Sequence, residues 1–191
     1  MAAALMSKLD AVNKMLESVW EQPVSTLQVS GVASVAMAKR VLEETSTSVQ
    51  SRGWAFNSEE NVTLTPDVEG NLYLPNGAIE VDPMGDSRDV DAVMRGTRLY
   101  DRENHTYAFT QPVDVRLITL LEFEDLPQAA RFYIAVMAAR VFRDKYLQMT
   151  TPAAPSPEEV EALRDLEEHE GATNDNNMFT DSWSVASIID R

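Results

Sequence analysis

VASVAMAKRVLEETSTSVQSRGWAF, residues 32–56, is the stretch whose reading decides the fold. Val32, Val35, Leu42 and Val49, with the small residues Ala38 and Thr45, recur three or four apart, which places them on one face of a long amphipathic helix. Arg52-Gly53 is the expected stop, because glycine adopts the left-handed conformation that closes a helix at no steric cost. Trp54 then falls where a closing contact back onto Val49 is expected, and from Phe56 onward the helical period is lost. Gly53-Trp54 therefore predicts a structural corner, formed by Arg52, Gly53, Trp54 and Phe56, where a helical layer hands the chain to a β-rich one.

Toward the N-terminus, Leu5, Leu9, Val12, Leu16 and Val19 predict a first amphipathic helix that Pro23 ends, with Trp20 packing at its end. Val24 to Val29 form a connector, and Ser30 is the expected N-cap of the central helix. Toward the C-terminus, residues 58–121 change to short apolar runs separated by turn residues. Asn76-Gly77, between Leu72-Tyr73-Leu74 and Ala78-Ile79-Glu80-Val81, predicts a type I′ hairpin, and Pro75 an edge strand. Asp82 to Asp89 reads as a polar loop. Further runs at Val90 to Met94, Thr97 to Tyr100, Thr106 to Phe109 and Val113 to Leu121 predict an antiparallel set with turns near Arg95-Gly96 and Asp101 to Asn104.

Helical signals return at Asp125, with Asp125 and Gln128 as a capping-box pair and Pro127 in the first turn. Phe132, Tyr133, Ile134, Val136, Met137, Val141 and Phe142 cover nearly every face, so this helix is expected to be buried among others. Ser156-Pro157-Glu158-Glu159 follows a Pro-rich linker and reads as a helix start, and Gly171 as that helix's end. The helix carries seven acids and one arginine, opposite Arg131, Arg140, Arg143 and Lys145 of its predecessor, which predicts antiparallel packing with exposed complementary charge. The last residues turn from polar to apolar at Trp183, Val185, Ile188 and Ile189, the pattern of a docking tail or of a segment folded back onto its own core, and Met178 and Phe179 join them as expected interface residues. The fold class is α+β: a bundle of about four helices from residues 1–57 and 122–171, a β-rich insertion at 58–121 and an extended tail at 172–191.

At 191 residues the chain can bury a full core. No apolar run is long enough to span a bilayer, and the N-terminus turns polar too soon for a signal peptide. Cysteine is absent, which removes disulfides and thiolate zinc sites and fits assembly in a reducing cytoplasm. The net charge of −15 argues against gripping phosphate backbones or anionic membranes. It suits a surface that nucleic acid passes without sticking, and it also serves solubility.

Catalytic constellations are scarce. There is no glycine-rich phosphate loop and no G-x-S-x-G elbow. Asp101, Glu103 and His105 alternate as on an ordinary exposed hairpin, and Glu167-Glu168-His169-Glu170 lacks the H-E-x-x-H spacing of a zinc helix. Glu59 or Glu60 supplies one carboxylate of a glycosidase pair only if a second lies at the right separation, and adjacent strand residues point to opposite faces. No cofactor is expected.

One resemblance covers nearly the whole chain. Gln50-Ser51-Arg52-Gly53-Trp54-Ala55-Phe56-Asn57, then Glu59-Glu60 and Thr63-Leu64-Thr65-Pro66-Asp67-Val68, resembles the tail tubular protein A family of short-tailed phages. The likeness continues in Ala11-Val12-Asn13, Glu21-Gln22-Pro23-Val24-Ser25-Thr26-Leu27, Tyr100-Asp101-Arg102, Phe132-Tyr133 and an Asn-Met pair near the end. It lapses between Pro75 and Thr97 and in the linker from Thr150 to Pro157. The resemblance implies a non-enzymatic virion protein, the head-to-tail adaptor. It implies a dodecameric ring beneath the portal protein that holds the tail nozzle, tail tubular protein B, and gives genomic DNA a channel. Asn76, Gly77 and the apolar tail residues are the expected interface. A tail-associated glycan hydrolase using Glu59 or Glu60, and a small acidic regulator of a partner enzyme, are the competing readings.

Overall fold

The computed structural model describes residues 5–28 and 32–174. Among them the fold is α+β, with four α-helices and two small antiparallel sheets. The chain divides into two compact units, Met1–Thr45 with Leu126–Arg191, and Ser46–Asp125.

The first unit is helical. Helix α1 spans Lys8–Glu17 and opens on a capping box: the Ser7 hydroxyl accepts from the Asp10 amide, and the Asp10 carboxylate accepts from the Ser7 amide. Leu5 therefore lies outside the helix, exposed, rather than within its apolar stripe. Ala11, Val12, Met15 and Leu16 are fully buried. The helix ends well before Pro23. The Trp20 amide donates to the Glu17 carbonyl and the Glu21 amide to Leu16, with Trp20 at φ 63°. That is a Schellman closure with tryptophan where glycine is usual. Its side chain is 97% exposed, so the expectation that Trp20 packs at the helix end is overturned: a left-handed backbone turns the residue outward.

Helix α2 spans Ala33–Gln50. Val35, Ala38, Leu42, Thr45 and Val49 form the expected buried face, joined by Val41, while Val32 precedes the helix and is exposed. Ser30 lies outside the described residues. Helix α3, Gln128–Tyr146, buries Ala130, Tyr133, Ile134, Ala135, Val136, Ala138, Ala139 and Phe142, so it is covered on nearly all sides. Its N-cap is Pro127 with no side-chain cap, not the Asp125–Gln128 box. The Gln128 side chain is instead engaged by the Met6 amide at 2.8 Å, and Asp125 closes a separate 3₁₀ turn, Phe123–Asp125.

Helix α4, Pro157–Asn174, starts as the sequence predicts, with the Ser156 hydroxyl accepting from the Glu159 amide at 3.1 Å. Gly171 does not stop it: the helix runs on to Asn174. A glycine inside a helix costs only about 1 kcal/mol against alanine. The charge complementarity of α3 and α4 includes a shielded fork. Arg140 Nε and Nη2 donate to the two Glu159 carboxylate oxygens at 2.7 and 2.8 Å, with Glu159 buried.

The second unit is mainly β. Strand β1 is Ser58–Leu64, β2 is Ala78–Pro83, β3 is Ala92–Arg95, β4 is Arg98–Asp101 and β5 is Val113–Thr119. β1, β5 and β2 form a three-stranded sheet in that order, and β3 with β4 a two-stranded one, so the expected single antiparallel set is two sheets. Leu64, Leu72, Leu74, Val81, Leu99, Val115 and Leu117 are central to one core.

The predicted Asn76-Gly77 hairpin does not form. Of the two central residues Gly77 alone has positive φ (85°), with the Ala78 amide donating to the Pro75 carbonyl. That is the signature of a type II turn, whereas type I′ needs both central residues left-handed. Leu72-Tyr73-Leu74 runs beside β4, with the Leu99 amide donating to Leu72 and the Leu74 amide to Thr97, while β2 pairs with β5. Thr106 to Phe109 makes isolated bridges rather than a strand. Pro83 lies on the sheet-edge strand β2, where its missing donor is tolerated.

Candidate functional site

The corner after α2 is built by three side chains acting on backbone. Gly53 holds φ 71°, and a Cβ there would stand 2.6 Å from Ile118 Cδ1. Trp54 is buried, its indole N–H donates to the Val49 carbonyl at 2.8 Å, and its ring stacks on Phe56 at 6.3 Å and 8°. Asn57, also buried, accepts from the Trp54 amide at 2.9 Å and donates to the carbonyls of Gln50 and Thr119, each at 3.0 Å. Arg52 is exposed beside them.

Gln50 completes the set. Wholly buried, it donates to Ser46 Oγ and to the Leu121 carbonyl, and accepts from the Leu121 amide at 2.8 Å. Gln50 and Asn57 are the residues that periodicity alone passes over. The available signal was an amide side chain at either edge of an aromatic-glycine corner, where backbone groups lose their ladder partners.

The exit of α1 is clamped in a similar way. The Asn13 amide donates to the Val24 carbonyl at 3.0 Å and accepts from the Val24 amide at 2.8 Å. Glu21 accepts from the Tyr146 hydroxyl at 2.7 Å and from the Ser34 hydroxyl at 3.1 Å. The Glu21 carboxylate raises the Tyr146 phenol above its ordinary pKa by hydrogen bonding to the neutral form. These bonds fix the backbone that follows Trp20 and leave the indole in solvent.

On the β3–β4 hairpin, Arg95, Arg98, Val93 and Tyr100 share one face by cross-strand pairing, with Tyr73 opposite Arg98. The Arg95 guanidinium sits 3.5 Å from the Tyr100 ring centroid and that of Arg98 4.3 Å from Tyr107. The two tyrosines meet edge-on at 4.8 Å.

The remaining sequence-predicted positions are dispersed. Glu59 and Glu60 are consecutive exposed residues of β1, at a register shift where Asn61 takes φ 58°. Consecutive strand residues point to opposite faces, so the two do not converge with each other. Asp101 caps its own turn, and hydrogen bonds from the Asn104 side chain and amide hold its carboxyl below the ordinary range. No group of three potential metal ligands occurs among the described residues. Asn76 and Gly77 are exposed at the turn, with the Gly77 carbonyl accepting from the Leu120 amide at 2.8 Å. Met178, Phe179, Trp183, Val185, Ile188 and Ile189 lie outside the described residues. The arrangement offers anchored backbone corners and exposed aromatic and arginine side chains.

The sequence model of the family described as tail tubular protein matches residues 9–176. The chain belongs to that family. Over 130 residues it is 31% identical to tail tubular protein A of Klebsiella phage KP34, covering 68% of each chain. As a tail tubular protein it is a structural component of a phage tail. In this tail tubular protein two of the segments that resemble the family are clamped by side chains. Asn13, Glu21 and Val24 hold the α1 exit, and Gln50, Gly53, Trp54 and Asn57 hold the corner. No helix among the described residues is long and apolar enough to cross a membrane.

Proposed function

We propose that this tail tubular protein is the head-to-tail adaptor of a short-tailed phage. Copies of the chain close into a ring, a dodecamer, between the portal protein and the tail nozzle made of tail tubular protein B. Genomic DNA passes through its lumen without sequence-specific contact. The family match over residues 9–176 carries this reading. The net charge of −15 supports it, since a lumen that repels phosphate does not arrest moving DNA. Assembly takes place in the host cytoplasm and the mature protein stays in the virion. The exposed Asn76-Gly77 turn belongs to the lobe that meets the nozzle or an adjacent subunit. The apolar residues Met178, Phe179, Trp183, Val185, Ile188 and Ile189 dock on a neighbouring copy or on the portal.

Electron microscopy of the purified chain mixed with the portal of the same phage tests the proposal. A ring of adaptor copies seated on the portal is expected. A chain that stays monomeric and leaves the portal bare overturns it. Removing residues 178–191 is expected to weaken attachment while the helical unit still unfolds cooperatively.

A further inference from the structure

Two surfaces of this chain are complementary, and one chain carries both. The outer face of the β3–β4 hairpin presents Arg95 and Arg98 with no acid among its cross-strand neighbours Val93, Tyr100 and Tyr73. Neither arginine forms an ion pair among the described residues; Asp67 and Glu69 are engaged with Asn71, which in turn accepts from Arg98 at 2.9 Å. Stacking on Tyr100 and Tyr107 fixes the guanidinium planes and leaves donor edges for a partner. Tyr73 stands exposed beside them. In a chain of net charge −15, a face with this sign is conspicuous by contrast.

The second surface is the outer face of α4. Glu159, Ala162 and Leu166 are buried, so Glu161, Arg164, Asp165, Glu167 and Glu168 point outward with the exposed Val160. Arg164 lies within 4.0 Å of Glu161 and Asp165 and 3.5 Å of Glu168, and Glu167 is a further acid that forms no ion pair among the described residues. Excess negative charge remains on a rigid helical ridge with an apolar side chain at its edge.

Resting on the ring reading above, we propose that the Arg95–Arg98 face of one copy docks on the Glu161–Glu168 face of α4 in the next. Such a contact is heterologous, since each surface meets a different one, and repetition of it generates a ring when the rotation closes. The carboxylates take the guanidinium edges as charge-assisted hydrogen bonds, and Tyr73 and Val160 supply apolar contact. Complementary charge also fixes register and makes the association salt-sensitive.

Sedimentation of the full chain, alone and mixed with portal, tests this with a charge swap. Arg95→Glu, and separately Glu161→Arg with Glu168→Arg, should each weaken self-association about ten-fold or more, and the combined variant should restore most of it. Circular dichroism confirms that each variant is folded; if Arg95→Glu is not, Arg95→Gln replaces it. Variants that assemble like the wild type, or a combined variant with no recovery, overturn this pairing and leave the ring standing. Loss of binding to duplex DNA by Arg95→Glu with self-association unchanged assigns the face to nucleic acid and also overturns it. A wild-type chain that never associates, alone or with portal, removes the ring reading together with the contact.

Discussion

Gln50 and Leu121 exchange two hydrogen bonds, side-chain amide to backbone, at 3.0 and 2.8 Å. The last residue of α2 thereby supplies to Leu121 the donor and acceptor that a further strand would otherwise provide. Gln50→Leu keeps the apolar bulk and removes both partners. The expected loss is about 2–4 kcal/mol, since orphaned buried groups lose their full hydration. Denaturant unfolding measures it, and a loss under about 0.5 kcal/mol would show that water reaches Leu121.

The corner glycine is constrained both by its conformation and by space. Gly53→Val demands positive φ of a β-branched residue and drives a Cβ into Ile118, so the folded yield should fall sharply. Trp54→Ala should cost ~3–5 kcal/mol as a buried aromatic truncation. Trp54→Phe separates packing from polarity, because it forfeits the bond to the Val49 carbonyl. About 1–2 kcal/mol is expected. Equal unfolding midpoints for wild type and Trp54→Ala would show the corner to be unimportant for stability.

Much of this fold was legible in the sequence, and unevenly. The α2 face and the Ser156-Pro157 start of α4 follow from local physics, periodicity and capping, and the structure repeats them. The Asn76-Gly77 hairpin misled because its turn chemistry is local but its strands are not. β2 finds a better partner in β5, and Leu72 and Leu74 are drawn to Leu99 by burial. Trp20 misled because a large apolar residue at a helix end is ordinarily packed, whereas here it occupies the position that glycine takes. Gln50 and Asn57 carry no periodic signal, since most of their partners are single backbone groups, several of them distant in sequence.

Arg140 and Glu159 make a two-pronged pair in which the carboxylate is buried and the arginine largely shielded. Breaking it by Glu159→Gln should cost about 3 kcal/mol, the range for leaving one buried charge without its partner. Replacing both, Arg140→Met with Glu159→Leu, should recover most of that loss. A double variant no better than the single one would show that the fork is needed as such, and thermal unfolding decides. The glutamate raises the arginine's pKa, chiefly by hydrogen bonding, so the arginine's share of this contribution is present below the ordinary arginine range and is lost as pH rises through the raised value.

Acid acts on carboxylates that hydrogen bonds hold in their charged form. Hydrogen bonds from Ser7 hold Asp10 below the ordinary carboxylate range, and those from Asn71 and Asn104 do the same for Asp67 and Asp101. A depressed pKa adds stability above the unfolded value and loses it as pH falls through the folded one. Stability should therefore be level near neutrality and decline below about pH 4. Because Asp10 and Asp67 are exposed and Asp101 is only partly shielded, the decline should be shallow, and Asp10→Asn should flatten it further. An Asp10→Asn profile parallel to wild type across about pH 2–5 would sink this assignment.

Trp20 combines two unfavourable features, a left-handed backbone and an indole 97% exposed, on a loop clamped by Asn13 and Glu21. The left-handed conformation costs a non-glycine residue ~1–2 kcal/mol, and the solvated ring returns nothing to the isolated chain. Trp20→Gly should therefore stabilise it, by about 0.5–1 kcal/mol once glycine's greater freedom in the unfolded chain is subtracted. A tryptophan held outward at that cost is the residue type that anchors protein interfaces. The same substitution should accordingly reduce the yield of completed tails in an in vitro assembly reaction. A Trp20→Gly protein that is less stable than wild type, or that builds tails at full yield, would refute the trade between stability and assembly.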